Sequence, residues 1–239
     1  MIGGADGPLE RRDPTQVPAF VAEESGTRDQ ARTLVLDSDS AAHVGYMLVR
    51  GSGARLGDGE LAAADGENGT LDKVVANLVA GSGADQADQL GGFAVRYVLV
   101  HKGAPREVTR VLDATPGLTR LSQQDGSGLW RVDQEVARAT IVAKSGSGTA
   151  QPVAAGPVDI HTTIPAGADG RILRLADTAA EGWTATLDGK PLTRTTVDGW
   201  TTNSRATGTC AGSTRSCCPA ASPTATTSAA APSRASPRS

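Results

Sequence analysis

The sequence predicts a small α/β layer domain, followed by an incomplete all-β sandwich and a disordered tail. Three observations predict it. The run Leu90–Lys102, L-G-G-F-A-V-R-Y-V-L-V-H-K, is the longest apolar stretch of the 239 residues and has helical patterns on both sides. A short run that is apolar on both faces reads as a central, doubly covered strand. From Val136 to Trp200 the pattern turns to short alternating segments separated by Gly and Ser. Residues 201–239 contain no Val, Ile, Leu, Met, Phe, Trp or Tyr and have nothing with which to build a core. The expected divisions are an extended lead-in over 1–31, the α/β domain over 32–135, a partial sandwich over 136–200 and the tail over 201–239.

Each element has its own local reason. Pro8, Pro14 and Pro18 favour an extended lead-in, and Phe20-Val21-Ala22 begins a short helix or docks directly on the domain. Thr33–Leu36 and Val44–Arg50 read as strands, with a Gly- and Asp-rich loop over Gly51–Gly69. Thr70 is a good N-cap for a helix whose Leu71, Val74, Val75, Leu78 and Val79 form one apolar stripe. Gly81 stands where the left-handed residue closing that helix belongs. Ala84–Leu90 adds a short helical turn before the central strand. Pro105 suits the first turn of a helix that buries Val108, Val111 and Leu112 and stops at Thr115-Pro116-Gly117. Leu118–Gln123 and Leu129–Val132 flank the hairpin signal Asp125–Gly128.

In the second half, Arg138–Ala143, Val158–Ile164 and Ile172–Leu175 read as strands. Trp183, Ala185 and Leu187 alternate up to Asp188-Gly189, the strong two-residue hairpin signal, and Lys190–Thr193 returns. Pro191 on the return strand points to a sheet edge.

Charge narrows the function classes. Residues 1–200 hold 19 basic and 26 acidic side chains, a balance of −7, while the tail holds four Arg and no acid. An acidic body argues against nucleic acid or an anionic membrane surface as partner. No apolar run approaches the roughly 20 residues that span a bilayer, and the N-terminal residues lack the apolar stretch of a signal peptide. All three cysteines, Cys210, Cys217 and Cys218, lie in the tail, so the body has no thiol chemistry.

Few motifs carry chemistry. Asp37-Ser38-Asp39 follows an apolar strand, and an Asp-x-Asp after a strand holds a divalent cation and a diphosphate in many sugar-nucleotide transferases. The plainer reading is a pair of loop acids after a strand. Gly51-Ser52-Gly53-Ala54-Arg55-Leu56-Gly57 imitates a dinucleotide loop, but Leu56 stands where the third Gly belongs. His43, His101 and His161 are widely spaced, so no metal site and no cofactor is expected. Trp130 and Trp200 are candidates for stacking on sugar rings, against the plainer reading of core or edge packing.

The tail has two readings. It is a natural Ser/Thr/Ala/Pro stalk, or the product of a lost reading frame. All its residues except Asn203 can be encoded with C or G at the second codon base. That uniformity is what a GC-rich gene yields when its wobble base lands in the codon centre.

Two stretches together carry a family resemblance. Leu90–Val132 runs L-G-G-F-A-V-R-Y-V-L-V through a helix to V-L-D-A-T-P-G-L-T-R-L-S-Q-Q-D-G-S-G-L-W-R-V, and Glu181–Leu192 runs E-G-W-T-A-T-L-D-G-K-P-L. Thr33–Trp200 resembles the C-terminal extracytoplasmic region of actinobacterial family 2 membrane glycosyltransferases, and the hairpin is also similar to one in YfhO-like membrane proteins. The resemblance implies a non-catalytic accessory fragment at the extracytoplasmic face of the cell membrane. Its partners would be the rest of the parent glycosyltransferase and a glycan acceptor of cell-envelope assembly. It carries over no catalytic residue. Two other readings stand beside it: a free-standing carbohydrate-binding or adhesion module, and a small sugar-nucleotide-dependent transferase using Asp37 and Asp39.

Overall fold

A computed structural model describes residues 17–40, 43–51, 70–83, 85–124, 126–143, 150–156, 160–164, 170–177, 183–188, 190–197, 201–205 and 224–229. The expected fold class is what it shows over the body: an α/β layer, then a β-rich region.

The layer is a five-stranded sheet. Its strands are β1 (Arg32–Ser40), β2 (His43–Val49), β3 (Val95–Val100), β4 (Leu118–Gln124) and β5 (Ser127–Val132), in the order β2-β1-β3-β5-β4. The central apolar run is therefore the central strand. It pairs in parallel with β1 and antiparallel with β5.

Both faces of β3 are covered. On one side lie α2 (Thr70–Ala80), α3 (Gln86–Gly92) and α4 (Arg106–Ala114). Leu71, Val74, Val75 and Leu78 of α2, Leu90 of α3, and Val108 and Leu112 of α4 pack on Leu34, Leu36, Val95, Val98, Val100 and Trp130. On the other side α1 (Ala19–Ser25) sets Val21 over Val35, Val49, Tyr97, Leu99 and Leu129. A fully buried Val or Leu contributes about 1.5–3 kcal/mol, so the two clusters dominate the layer's stability.

Helix α2 ends as its sequence predicts. Gly81 has φ +67°, and the next N–H, of Ser82, reaches back to Asn77 O at 3.0 Å. A β-carbon at Gly81 would also sit 3.2 Å from Val111 Cγ1 on α4. Gly81→Ala is therefore expected to lower stability by about 1 kcal/mol or more, read as an earlier urea midpoint at unchanged slope.

The β-rich region is two packed sheets. One runs β12 (Thr193–Val197), β13 (Thr201–Arg205), β9 (Ile172–Leu175), β6 (Ala139–Val142), β7 (Gln151–Val153). The other runs β11 (Lys190–Pro191), β10 (Trp183–Leu187), β14 (Thr224–Ala229), β8 (Ile160–Thr163). Ile141, Val153, Leu173 and Leu175 of the first meet Ile160 of the second, with Leu187 packed against them. The Asp188 turn has the positive φ (+51°) that a two-residue hairpin demands, and Pro191 lies on an edge strand as expected.

Two local expectations change. Strand β1 does not stop at Leu36 but continues through Asp37, Ser38, Asp39 and Ser40, because main-chain pairing with β2 holds the polar residues as well. Within the tail, Thr201–Arg205 and Thr224–Ala229 are strands. Threonine suits a pleated backbone, and a strand between two others is held by main-chain bonds whatever its side chains. The remainder of the tail lies outside the described residues, as do most of the Gly51–Gly57 stretch and the Ser145–Gly148 loop.

Candidate functional site

The strongest electrostatic feature joins the layer to the sandwich. Asp177 follows β9, Arg138 precedes β6, and Arg32 opens β1. Arg138 donates to Asp177 Oδ2 through Nε at 2.8 Å and Nη2 at 2.6 Å. Arg32 reaches the other oxygen through Nη2 and also donates to Phe93 O at 3.1 Å and to Ala176 O. Arg50, past the end of β2, stands 3.9 Å from Asp177 Oδ1. The Asp177, Arg32 and Arg138 side chains are 9%, 8% and 5% exposed.

Burial pushes the Asp177 carboxyl up, but Arg32, Arg138 and Arg50 outweigh it and hold the group below the usual carboxylate range. Main-chain bonds reinforce the junction: Arg138 N–H donates to Asp29 O and Ala155 N–H to Arg28 O, both at 2.7 Å. This cluster is consumed in structure. It ties β1 to the sandwich and presents no open carboxylate to a substrate.

The residues singled out in the sequence do not converge there. Asp37 is exposed on β1, opposite Gly45 of β2. Asp39 occupies an irregularity in the same ladder, between the pairs Ser38–Val44 and Ser40–His43. They are strand residues, not loop acids. Half-buried His101 follows β3, and its Nε2 is buried with no hydrogen-bond partner among the described residues. Among the described residues no three His, Cys, Asp or Glu side chains come together as a metal centre.

Trp130 is fully buried. Its Nε1–H donates to Asp113 Oδ1 at 3.0 Å, and the Arg120 guanidinium lies 4.9 Å from its ring centroid. It is a core residue with no face for a sugar. Trp200 lies outside the described residues.

A second polar cluster was not read from the sequence. Tyr97 donates its hydroxyl to Glu24 of α1, which also lies 3.4 Å from Arg96 Nε. Burial, then the bond and charge of Glu24, push the Tyr97 phenol up to about 12. Phe20 packs edge-on against that ring at 6.1 Å while remaining 52% exposed. The cluster fastens α1 to the sheet.

No family model, curated protein or solved structure matches the chain.

Proposed function

We propose that this chain is a non-catalytic accessory module of a membrane glycosyltransferase, placed at the extracytoplasmic face and positioning a glycan acceptor during cell-envelope polysaccharide assembly. The observation that supports the reading is the joining of two units into one body. The stretches that carry the resemblance form β3-α4-β4-β5 in the layer and the β10–β11 hairpin in the sandwich. The Arg32–Asp177–Arg138 cluster, spent on holding the layer to the sandwich, suits a rigid positioning module. Among the described residues no helix is long and apolar enough to cross a membrane.

The lost-frame reading gains a structural counterpart. Strands β13 and β14 take internal positions in the two sheets. Their sequences, T-T-N-S-R and T-A-T-T-S-A, contain no apolar residue larger than Ala. Internal positions of a sandwich ordinarily carry large apolar residues on the inner face.

Resequencing the gene from the codons of Val197 onward tests the fragment reading. A neighbouring frame is expected to continue with alternating apolar strands and then a membrane-length apolar run. Stops closing both other frames would overturn it. Calorimetric titration with envelope polysaccharide fragments tests the acceptor role, and absence of binding to any of them would remove that role.

A further inference from the structure

We propose that two copies of this chain associate through the edge of β2, joining their α/β layers into one continuous sheet across a two-fold axis beside Tyr46. This goes beyond the accessory-module reading and does not depend on it.

Hydrogen-bond directions show what the edge presents. His101 N–H donates to Leu36 O at 3.2 Å, and Arg32 N–H donates to Ala94 O at 2.8 Å. The main-chain groups of Leu36 therefore point at β3 and away from β2. In an antiparallel ladder, pairs that exchange both bonds alternate with pairs that exchange none. Leu36 opposes Tyr46, so theirs is a pair of the second kind, and Ser38–Val44 and Leu34–Leu48 follow by alternation. The N–H and C=O of Val44 and Leu48 thus turn away from β1, toward the side of β2 on which no described strand lies.

Sheet edges recruit other chains unless something blunts them. The other described edges carry such devices. β4 has Arg120 and a ladder irregularity between Arg120 and Ser122. β7 has Pro152, β11 has Lys190 and Pro191, β12 has Arg194, and β8 is only four residues long. β2 runs for seven residues, H-V-G-Y-M-L-V, without Pro, Lys, Arg, Asp or Glu. The irregularity in its ladder, between Ser38 and Ser40, falls before Val44. Val44, Met47 and Leu48 are half-buried, and a neighbouring strand would finish covering them.

The occupant is a second copy because the strand is complementary to itself. It carries no charge to repel its own image. With Tyr46 on the axis, Val44 lies opposite Leu48 of the second copy, and Leu48 opposite the other Val44. Both side chains pack toward the helices, so each cross-strand pair is aliphatic, and each exchanges both main-chain bonds. On the opposite face Met47 meets Gly45 of the second copy, which has no side chain to collide with it. The axis is perpendicular to the sheet and keeps the helices of both copies on one face. Such a contact is isologous and closed. It consumes both β2 edges, and the blunted β4 edges end the joined sheet.

The test follows the full chain by sedimentation velocity from nanomolar to millimolar concentration, in reducing buffer so that Cys210, Cys217 and Cys218 do not cross-link copies. A reversible monomer–dimer equilibrium is expected. Residue-resolved amide exchange then locates the contact. Raising the concentration should slow exchange at Val44 and Leu48 far more than at Met47, whose amide faces Val35 of β1. Val44→Pro removes an outward donor, a change that edge strands tolerate, and Met47→Lys sets a charge against the second copy. Each should weaken the dimer by about tenfold or more, and Thr119→Lys on β4 should leave it unchanged. Circular dichroism checks the fold of each variant, and the wild-type exchange pattern decides if both unfold. A monomer at every concentration, a dimer indifferent to both substitutions, or Val44 and Leu48 amides already protected in the dilute monomer would each overturn the proposal.

Discussion

Asp177→Ala is expected to lower folding stability by about 3–5 kcal/mol, because it strands buried like charges. Arg32 and Arg138 converge on the carboxylate with side chains 8% and 5% exposed, and Arg50 stands 3.9 Å away. Without the acid, the guanidiniums repel one another in a poorly hydrated place. Asp177→Asn keeps the shape and one acceptor oxygen, so it should cost less but still remove the charge. The wild-type pH dependence follows from the depressed carboxyl. A carboxyl held below its unfolded value of about 3.9 contributes stability that is fully present above that pH. The contribution erodes as pH falls below it and is gone once pH passes the folded value. Urea midpoints between pH 7 and pH 2 should therefore fall more steeply for wild type than for Asp177→Asn. Parallel curves for the two would count against the cluster as the joint between layer and sandwich.

Trp130→Ala should have a similar effect for a different reason. The ring is fully buried among Leu34, Leu36 and the helices, and its removal leaves a large cavity, costing about 3–5 kcal/mol. Trp130→Phe keeps most of the volume but leaves Asp113 without the indole donor 3.0 Å away. That variant should lose the net value of one hydrogen bond, about 0.5–1.5 kcal/mol, plus some packing. The pair of variants separates core from sugar platform. A stacking platform would lose glycan affinity in a folded Ala variant, whereas a core residue loses the fold first. Circular dichroism and a urea midpoint on each variant distinguish the two.

What the sequence disclosed depended on side-chain periodicity. The stripe of α2, the unbroken apolar run of β3 and the Asp-Gly hairpin each announce their conformation within a dozen residues. The Asp37–Ser40 half of β1 was hidden because its residues are polar and its regularity comes from the β2 ladder. The two tail strands were hidden for the same reason. Arg32 and Asp177 are 145 positions apart, so no local pattern links them. One signal was available: Arg138 sits in V-A-R-A-T-I-V and Asp177 in I-L-R-L-A-D, charges at the ends of apolar strands. A charge in such a setting is buried only with a partner.

The position of β14 bears on how the protein is made. Strands β8 and β10 flank it and are translated well before it. Until residues 224–229 emerge from the ribosome, each of those strands presents a row of unpaired amides and carbonyls on its inner edge. Such edges recruit other chains. The nascent sandwich is therefore most vulnerable to aggregation in the interval after β10 has left the exit tunnel. A chaperone that shields extended edges until residues 224–229 emerge would therefore raise the yield of this chain.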